Sequence, residues 1–152
     1  MELKLRSTVT SELKKKTLFR GSSIALIGIL ILAFAYFWVS EATLEKWGWA
    51  FFLWGLMFIV WGMLPYRRLT RIEDMPFEIW TSGEGDLEML CFGKNHRAFW
   101  KVFTREITGI AYKNDPNYYG IEIMSGGKRH FCPYFSKRSF DELQETQRRV
   151  DA

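Results

Sequence analysis

The chain has 152 residues, a mass of 18.0 kDa, a formal net charge of +4 and two cysteines. These values exclude a large multidomain enzyme and a disulfide-built scaffold. The charge is also unevenly placed: residues 21–40 and 47–66 contain none of the 21 Lys and Arg or the 17 Asp and Glu.

Residues 1–20 form a basic head, with six basic side chains against two acidic ones. From Met1 to Val9, Leu3, Leu5 and Val9 alternate with Glu2, Lys4, Arg6 and Thr8. That period of two suits an edge strand able to join a sheet formed by the tail; the alternative is a disordered basic arm. Ser11 to Arg20 then reads as a helical extension leading into the first apolar block.

Each apolar block is 20 residues long. At a rise of about 1.5 Å per residue, such a helix covers about 30 Å, the thickness of a bilayer's hydrocarbon core. Unpaired backbone groups are not tolerated in lipid, so both blocks are expected to be transmembrane helices, at 21–40 and 47–66, the second ending near Pro65. A secretory leader fits poorly, because the first block is too long and a second follows after only six residues, 41–46.

Lys and Arg set the orientation. The head and the start of the tail (Arg67, Arg68, Arg71) are basic, whereas the connection at 41–46 holds only Lys46. Positive residues stay on the cytoplasmic side, so both termini are expected there, with a small outer turn. Tyr36, Phe37, Trp38, Trp47 and Trp49 mark the outer interface.

Small residues recur every seven positions: Gly21, Gly28 and Ala35 on one span, Gly48, Gly55 and Gly62 on the other. That spacing lays each set along one seam, where small side chains let helix backbones approach. An antiparallel hairpin would pair Gly21 with Gly62, Gly28 with Gly55 and Ala35 with Gly48. Neither span holds an ionisable side chain apart from interfacial tyrosines, which favours an anchor over a transport pathway.

Residues 67–152 read as β-rich. Strands are expected at 77–81, 86–92, 97–103, 107–113, 118–124 and 129–133. Turn chemistry separates them at Ser82–Gly85, Gly93–Asn95, Asn114–Asn117 and Ser125–Lys128. The period then changes: Ser139, with Glu142 three residues on, reads as a capping box for an amphipathic helix carrying Phe140, Leu143, Gln147 and Val150 on one face. The expected fold is therefore membrane α+β: a two-helix hairpin plus a small sandwich or barrel of about six strands capped by a C-terminal helix.

This layout resembles the bacterial PH-like domain membrane proteins of the YcxB-like group. The resemblance rests on the order of elements along the whole chain. Locally it rests on Phe103–Ile110, Tyr119–Ile123 and Ser136–Leu143. It implies a PH-like cytoplasmic domain and a location in the bacterial inner (plasma) membrane. It brings no catalytic residues, and a shared fold does not imply phosphoinositide binding.

Chemistry-bearing motifs are sparse. Cys91, His96, His130 and Cys132 are the only metal-type His and Cys residues, and they lack zinc-type spacing, so neither a metal nor a cofactor is expected. No nucleophile elbow, phosphate loop or HExxH is present, so no catalytic residue is expected. The tail holds 14 basic against 13 acidic residues, which argues against nucleic acid.

Three functional readings follow. The first is a membrane-anchored interaction or scaffold domain that binds a protein partner or self-associates, with Tyr118, Tyr134 and Phe135 as candidate contact residues. The second is recognition of anionic membrane lipids by a collar of Lys14, Lys15, Lys16, Arg20, Arg67, Arg68 and Arg71, each attracted by about 1 kcal/mol at a charged surface. The third is an enzyme acting on a membrane-associated substrate, for which the sequence offers no convergent polar residues.

Overall fold

The computed structural model describes residues 3–84 and 87–152. The chain is α+β. It divides into two compact units: one combines residues 1–9 with 71–152, and the other is Thr10–Thr70.

The second unit is helical. Helix α1 runs from Ser11 to Trp38, with Thr10 at its N-cap accepting a hydrogen bond from Leu13 N. Helix α2 runs from Glu41 to Asp74. Its start lies six residues before the expected Trp47. The Ser40 carbonyl accepts from Thr43 N and Leu44 N at 3.0 and 2.9 Å, and the Ser40 hydroxyl lies 2.9 Å from Thr43 Oγ1. Glu41 in the first turn suits the positive helix end. The expected outer turn at 41–46 is thus helical, and the chain reverses at Val39–Ser40.

Pro65 lies inside α2 and does not end it. Proline removes one backbone donor, and the residues that follow, Tyr66 to Asp74, contain no further Pro or Gly, so the helix resumes. Both helices are long and apolar enough to cross a membrane. Only 22% of the most apolar window of α1 and 11% of that of α2 is buried, unlike the core helices of a soluble bundle.

In the other unit, antiparallel strands build two sheets among the described residues. The first holds β1 (Lys4–Arg6), β2 (Phe77–Glu84), β3 (Leu87–Lys94) and β4 (Arg97–Phe103), paired in that order. The second holds β5 (Ile107–Lys113), β6 (Gly120–Ser125) and β7 (Lys128–Pro133). A single 3-10 turn, Thr104–Glu106, links the two sheets, and helix α3 (Lys137–Asp151) follows.

The head does pair with the tail: Lys4 lies opposite Trp80, Leu5 opposite Ile79 and Arg6 opposite Glu78. Met1 and Glu2 of the expected alternation lie outside the described residues. Of the expected turn at Ser82–Gly85, Ser82 to Glu84 belong to β2, while Gly85, and Asp86 at the expected start of the next strand, lie outside the described residues. The β3–β4 connection places Asn95 and His96 at φ 49° and 61°, and the β6–β7 connection places Gly126 and Gly127 at φ 55° and 76°. Two successive left-handed residues match the twist of a tight hairpin.

The core lies between the inner faces of the sheets. Leu5, Ile79, Leu90 and Phe92 face Ile121, Ile123 and Cys132, with Phe135 and Leu143 completing it. Ile79, Ile121 and Ile123 are fully buried, each contributing about 1.5–3 kcal/mol of apolar burial. The cap of α3 is Ser136, whose hydroxyl accepts from Ser139 N at 3.3 Å. Ser139 therefore occupies the third helical position and is not the cap. Glu142 pairs instead with Arg138, at 3.3 Å.

Candidate functional site

The aromatic cluster on the outer face of the second sheet is built from a turn and a strand. In the turn after β5, Asn117 N donates to Asp115 Oδ1 at 2.9 Å and Tyr118 N to the Asp115 carbonyl at 3.1 Å. This sets the ring of Tyr118 over Phe131 of β7, with centroids 4.7 Å apart. The Lys113 ammonium lies 5.7 Å from the Tyr118 ring and 5.9 Å from that of Phe131. A cation over two ring faces is attracted by their quadrupoles.

Tyr134 borders the cluster at 6.4 Å from Tyr118, edge to face. Its backbone has φ 64° and is held from both sides. Tyr134 N donates to the Tyr119 carbonyl, and the Tyr134 carbonyl accepts from Thr8 N, both at 2.8 Å. The Tyr119 hydroxyl donates to the Thr8 carbonyl at 2.6 Å. The head strand's continuation is thus tied to the aromatic cluster. Burial raises the ionisation of the Tyr134 hydroxyl above its usual value, and Tyr118 and Tyr119 add to this.

Of the three expected contact residues, Tyr118 is exposed, at 46%, and Tyr134 is half-buried. Phe135 is fully buried and stacks edge to face on Phe92 at 6.3 Å, so it is a core residue and offers no surface to a partner. Alternation along β7 explains the difference. Cys132 lies opposite Ile121 on the inner face, which puts Phe131, opposite Glu122, on the outer one. The same parity leaves Phe131 half-buried on that outer face beside Tyr118, a side legible in the alternation of Arg129, Phe131 and Pro133 with His130 and Cys132. Lys113 carried no such signal.

His130 and Cys132 share the inner face, as their spacing suggests. The His130 ring packs on Trp100 of the other sheet, centroids 4.7 Å apart, and Cys132 is fully buried in the core. Burial pushes the Cys132 thiol far above its usual ionisation range. The Cys91 thiol is also raised by burial, an effect that Lys101 partly offsets. Among the described residues, no three His, Cys, Asp or Glu converge in a way that could hold a metal.

In the helical unit, the structure brings together two of the three expected small-residue pairs. An added Cβ on Gly21 would strike the Gly62 carbonyl, and one on Gly28 would strike the Gly55 carbonyl. Conversely, a Cβ on Gly62 would stand 2.5 Å from the Gly21 oxygen. The third pair does not form: a Cβ on Gly48 would meet only Leu44 of its own helix, at 4.0 Å, while Ala35 is buried. The two formed pairs are centred between residues 41 and 42, but the chain reverses earlier, at Val39–Ser40, so the register is lost near the turn.

Of the collar residues, Lys15, Lys16, Arg20, Arg67, Arg68 and Arg71 are exposed and Lys14 is half-buried. Arg20, Arg67 and Arg68 adjoin the apolar blocks directly. Lys14, Lys15, Lys16 and Arg71 lie within about 10 Å of the blocks along their helices.

In comparisons with known proteins, no family model, no curated protein and no solved structure matches this chain.

Proposed function

We propose that the chain is a membrane-anchored interaction protein whose helical hairpin crosses the bacterial inner membrane. Its PH-like domain binds a protein partner, or a second copy of itself, at the cytoplasmic face. One observation carries this reading: the apolar hairpin is inserted between two strands that pair with each other. Ser7 N donates to the Phe77 carbonyl and Phe77 N to Ser7 Oγ, both at 2.8 Å. The chain therefore leaves and re-enters the sheet at one place, and a spanning pair of helices between those points has both ends on one side. The basic residues flanking the spans favour the cytoplasm for that side.

The order of elements supports the PH-like reading. The chain has four strands in one antiparallel sheet, three in the next and then a C-terminal helix, the strand-rich unit closed by a helix that this reading requires. The partner surface is the exposed Tyr118 ring with Phe131, Tyr134 and Lys113 around it, the kind of aromatic anchor that dominates interface energies. Crosslinking in native membranes, followed by purification, tests this. The expected result is a discrete crosslinked species that Tyr118→Ala weakens about tenfold; a chain that stays alone and monomeric contradicts it.

A second reading has its own support. The collar is exposed and flanks the two apolar blocks, and each cation beside anionic lipid would gain about 1 kcal/mol. Native mass spectrometry of the full chain is expected to retain anionic lipids in preference to zwitterionic ones. Replacing Arg67, Arg68 and Arg71 by Gln should remove that preference.

A further inference from the structure

Glu78 uses its two carboxylate oxygens unequally. It stands on the outer face of the first sheet, opposite Arg6 of β1 and Gly93 of β3. Its Oε1 receives both cations of β1, Arg6 Nε at 3.4 Å and Lys4 Nζ at 3.6 Å. Its Oε2 is buried and has no hydrogen-bond partner among the described residues. A desolvated carboxylate oxygen without a donor is costly, so a donor brought to it is strongly favoured.

His96 is placed to be that donor. Its Nδ1 stands 4.0 Å from Oε2, about 1 Å beyond hydrogen-bond length. His96 and Asn95 make the β3–β4 turn, and the imidazole is exposed. An exposed ring closes such a gap by turning about its side-chain bonds. The neutral ring has one donor and one acceptor nitrogen, whereas the imidazolium donates from both. A charge-assisted bond is also roughly twice as strong as a neutral one.

The other charges around the pair do not reverse this. Lys4 and Arg6 oppose a charge on His96, but they are largely solvated and Oε2 is not. Lys101 lies farther along the same face, opposite Cys91, and the Lys94 ammonium lies over the Phe77 ring. Arg97 follows the turn. Glu73 and Asp74 precede Met75, whose Sδ lies 3.5 Å from Asn95 Nδ2, and they are the competing carboxylates for His96.

We propose that His96 and Glu78 form a proton-operated latch on the β3–β4 turn. When the imidazole takes its second proton, Nδ1 donates to Oε2, both oxygens of Glu78 are engaged, and β1, β2 and the turn are fastened together. When the proton leaves, the turn is released. The bond exists only in the folded chain, so its protection is complete on the acid side of histidine's range and is lost as pH rises through it.

Amide hydrogen exchange of the full chain in lipid nanodiscs tests this, at about pH 5.5 and about pH 8, with rates divided by those of an unstructured chain. Protection of segments 3–7 and 93–98 is expected to be about threefold higher at the lower pH. His96→Asn, which keeps a residue tolerant of the left-handed turn, should abolish the difference. Glu78→Gln should abolish it too. No difference in the unsubstituted chain overturns the proposal, as does one that survives His96→Asn. A difference lost in His96→Asn but kept in Glu78→Gln assigns the proton to another carboxylate and overturns it equally.

Discussion

Glu78 of β2 stands directly opposite Arg6 of β1, its Oε1 3.4 Å from the Arg6 Nε. Lys4 Nζ approaches the same oxygen at 3.6 Å. The carboxylate is nearly out of water, with 9% of its side chain exposed, and its Oε2 has no hydrogen-bond partner among the described residues. The cations are far more exposed, at 65% for Arg6 and 40% for Lys4. The pair thus joins the first residues of the chain to a strand that follows the whole helical hairpin.

This asymmetry orders two substitutions. Arg6→Ala leaves a desolvated charge with less compensation and is expected to cost about 1 kcal/mol, reduced from the buried-pair range because Arg6 is largely solvated. Glu78→Gln leaves only solvated cations behind and should cost about half as much or less. Urea unfolding followed by tryptophan fluorescence measures both. The reverse order would show that the ion pair is not what holds β1 in register.

The small-residue seam makes a prediction with an internal control. Gly28→Leu and Gly62→Leu would each drive a side chain into the opposing backbone and should separate α1 from α2. Gly48→Leu, with only Leu44 of its own helix nearby, should leave the pair intact. Disulfide trapping between cysteines placed on the two helices reads the difference. Equal loss for all three variants would count against the seam as drawn.

The thiols give a pH dependence of known sign. Burial raises the folded-state ionisation of Cys132 above its ordinary value of 9.0. Its contribution to stability is complete below that value and fades as pH rises towards the raised one. Chemical denaturation should therefore show stability falling above about pH 9, with a shallower fall in Cys132→Ala. Maleimide labelling of the native chain at pH 8 should modify Cys91 before Cys132, since Lys101 beside Cys91 favours its thiolate. Faster labelling of Cys132 would contradict its place in the core.

The cap of α3 separates two neighbouring serines. Ser136→Ala removes the acceptor for Ser139 N and should cost about 1 kcal/mol. Ser139→Ala keeps that backbone bond and should cost a few tenths. Thermal unfolding by circular dichroism ranks them.

Much of the architecture was legible because hydrophobic period is a local property. The two uncharged blocks gave helices, though not their ends, while the strands at 97–103 and 107–113 and the alternation of Tyr119, Ile121 and Ile123 gave the right element in the right place. The misplacements share one cause: a strong local signal stood beside a weaker true one. Ser139 with Glu142 satisfied the capping box, whereas Ser136 has Ser, and not Glu, at the third position. Pro65 looked like a stop, although the loss of one donor does not end a helix whose next nine residues can continue it. Phe135 follows the left-handed Tyr134, so strand alternation no longer decides which way it faces.

The central claim is that α1 and α2 cross a bilayer as a hairpin and return the chain to its starting side. Cysteines placed at Thr8, Ser40 and Ala152, one at a time in a chain with Cys91 and Cys132 replaced by Ala, test it in sealed inverted membrane vesicles with an impermeant maleimide. The predicted result is labelling at positions 8 and 152 and protection at 40 until the vesicles are opened. Protection of position 8 with labelling of 152, or a chain recovered in the soluble fraction without detergent, would contradict the account.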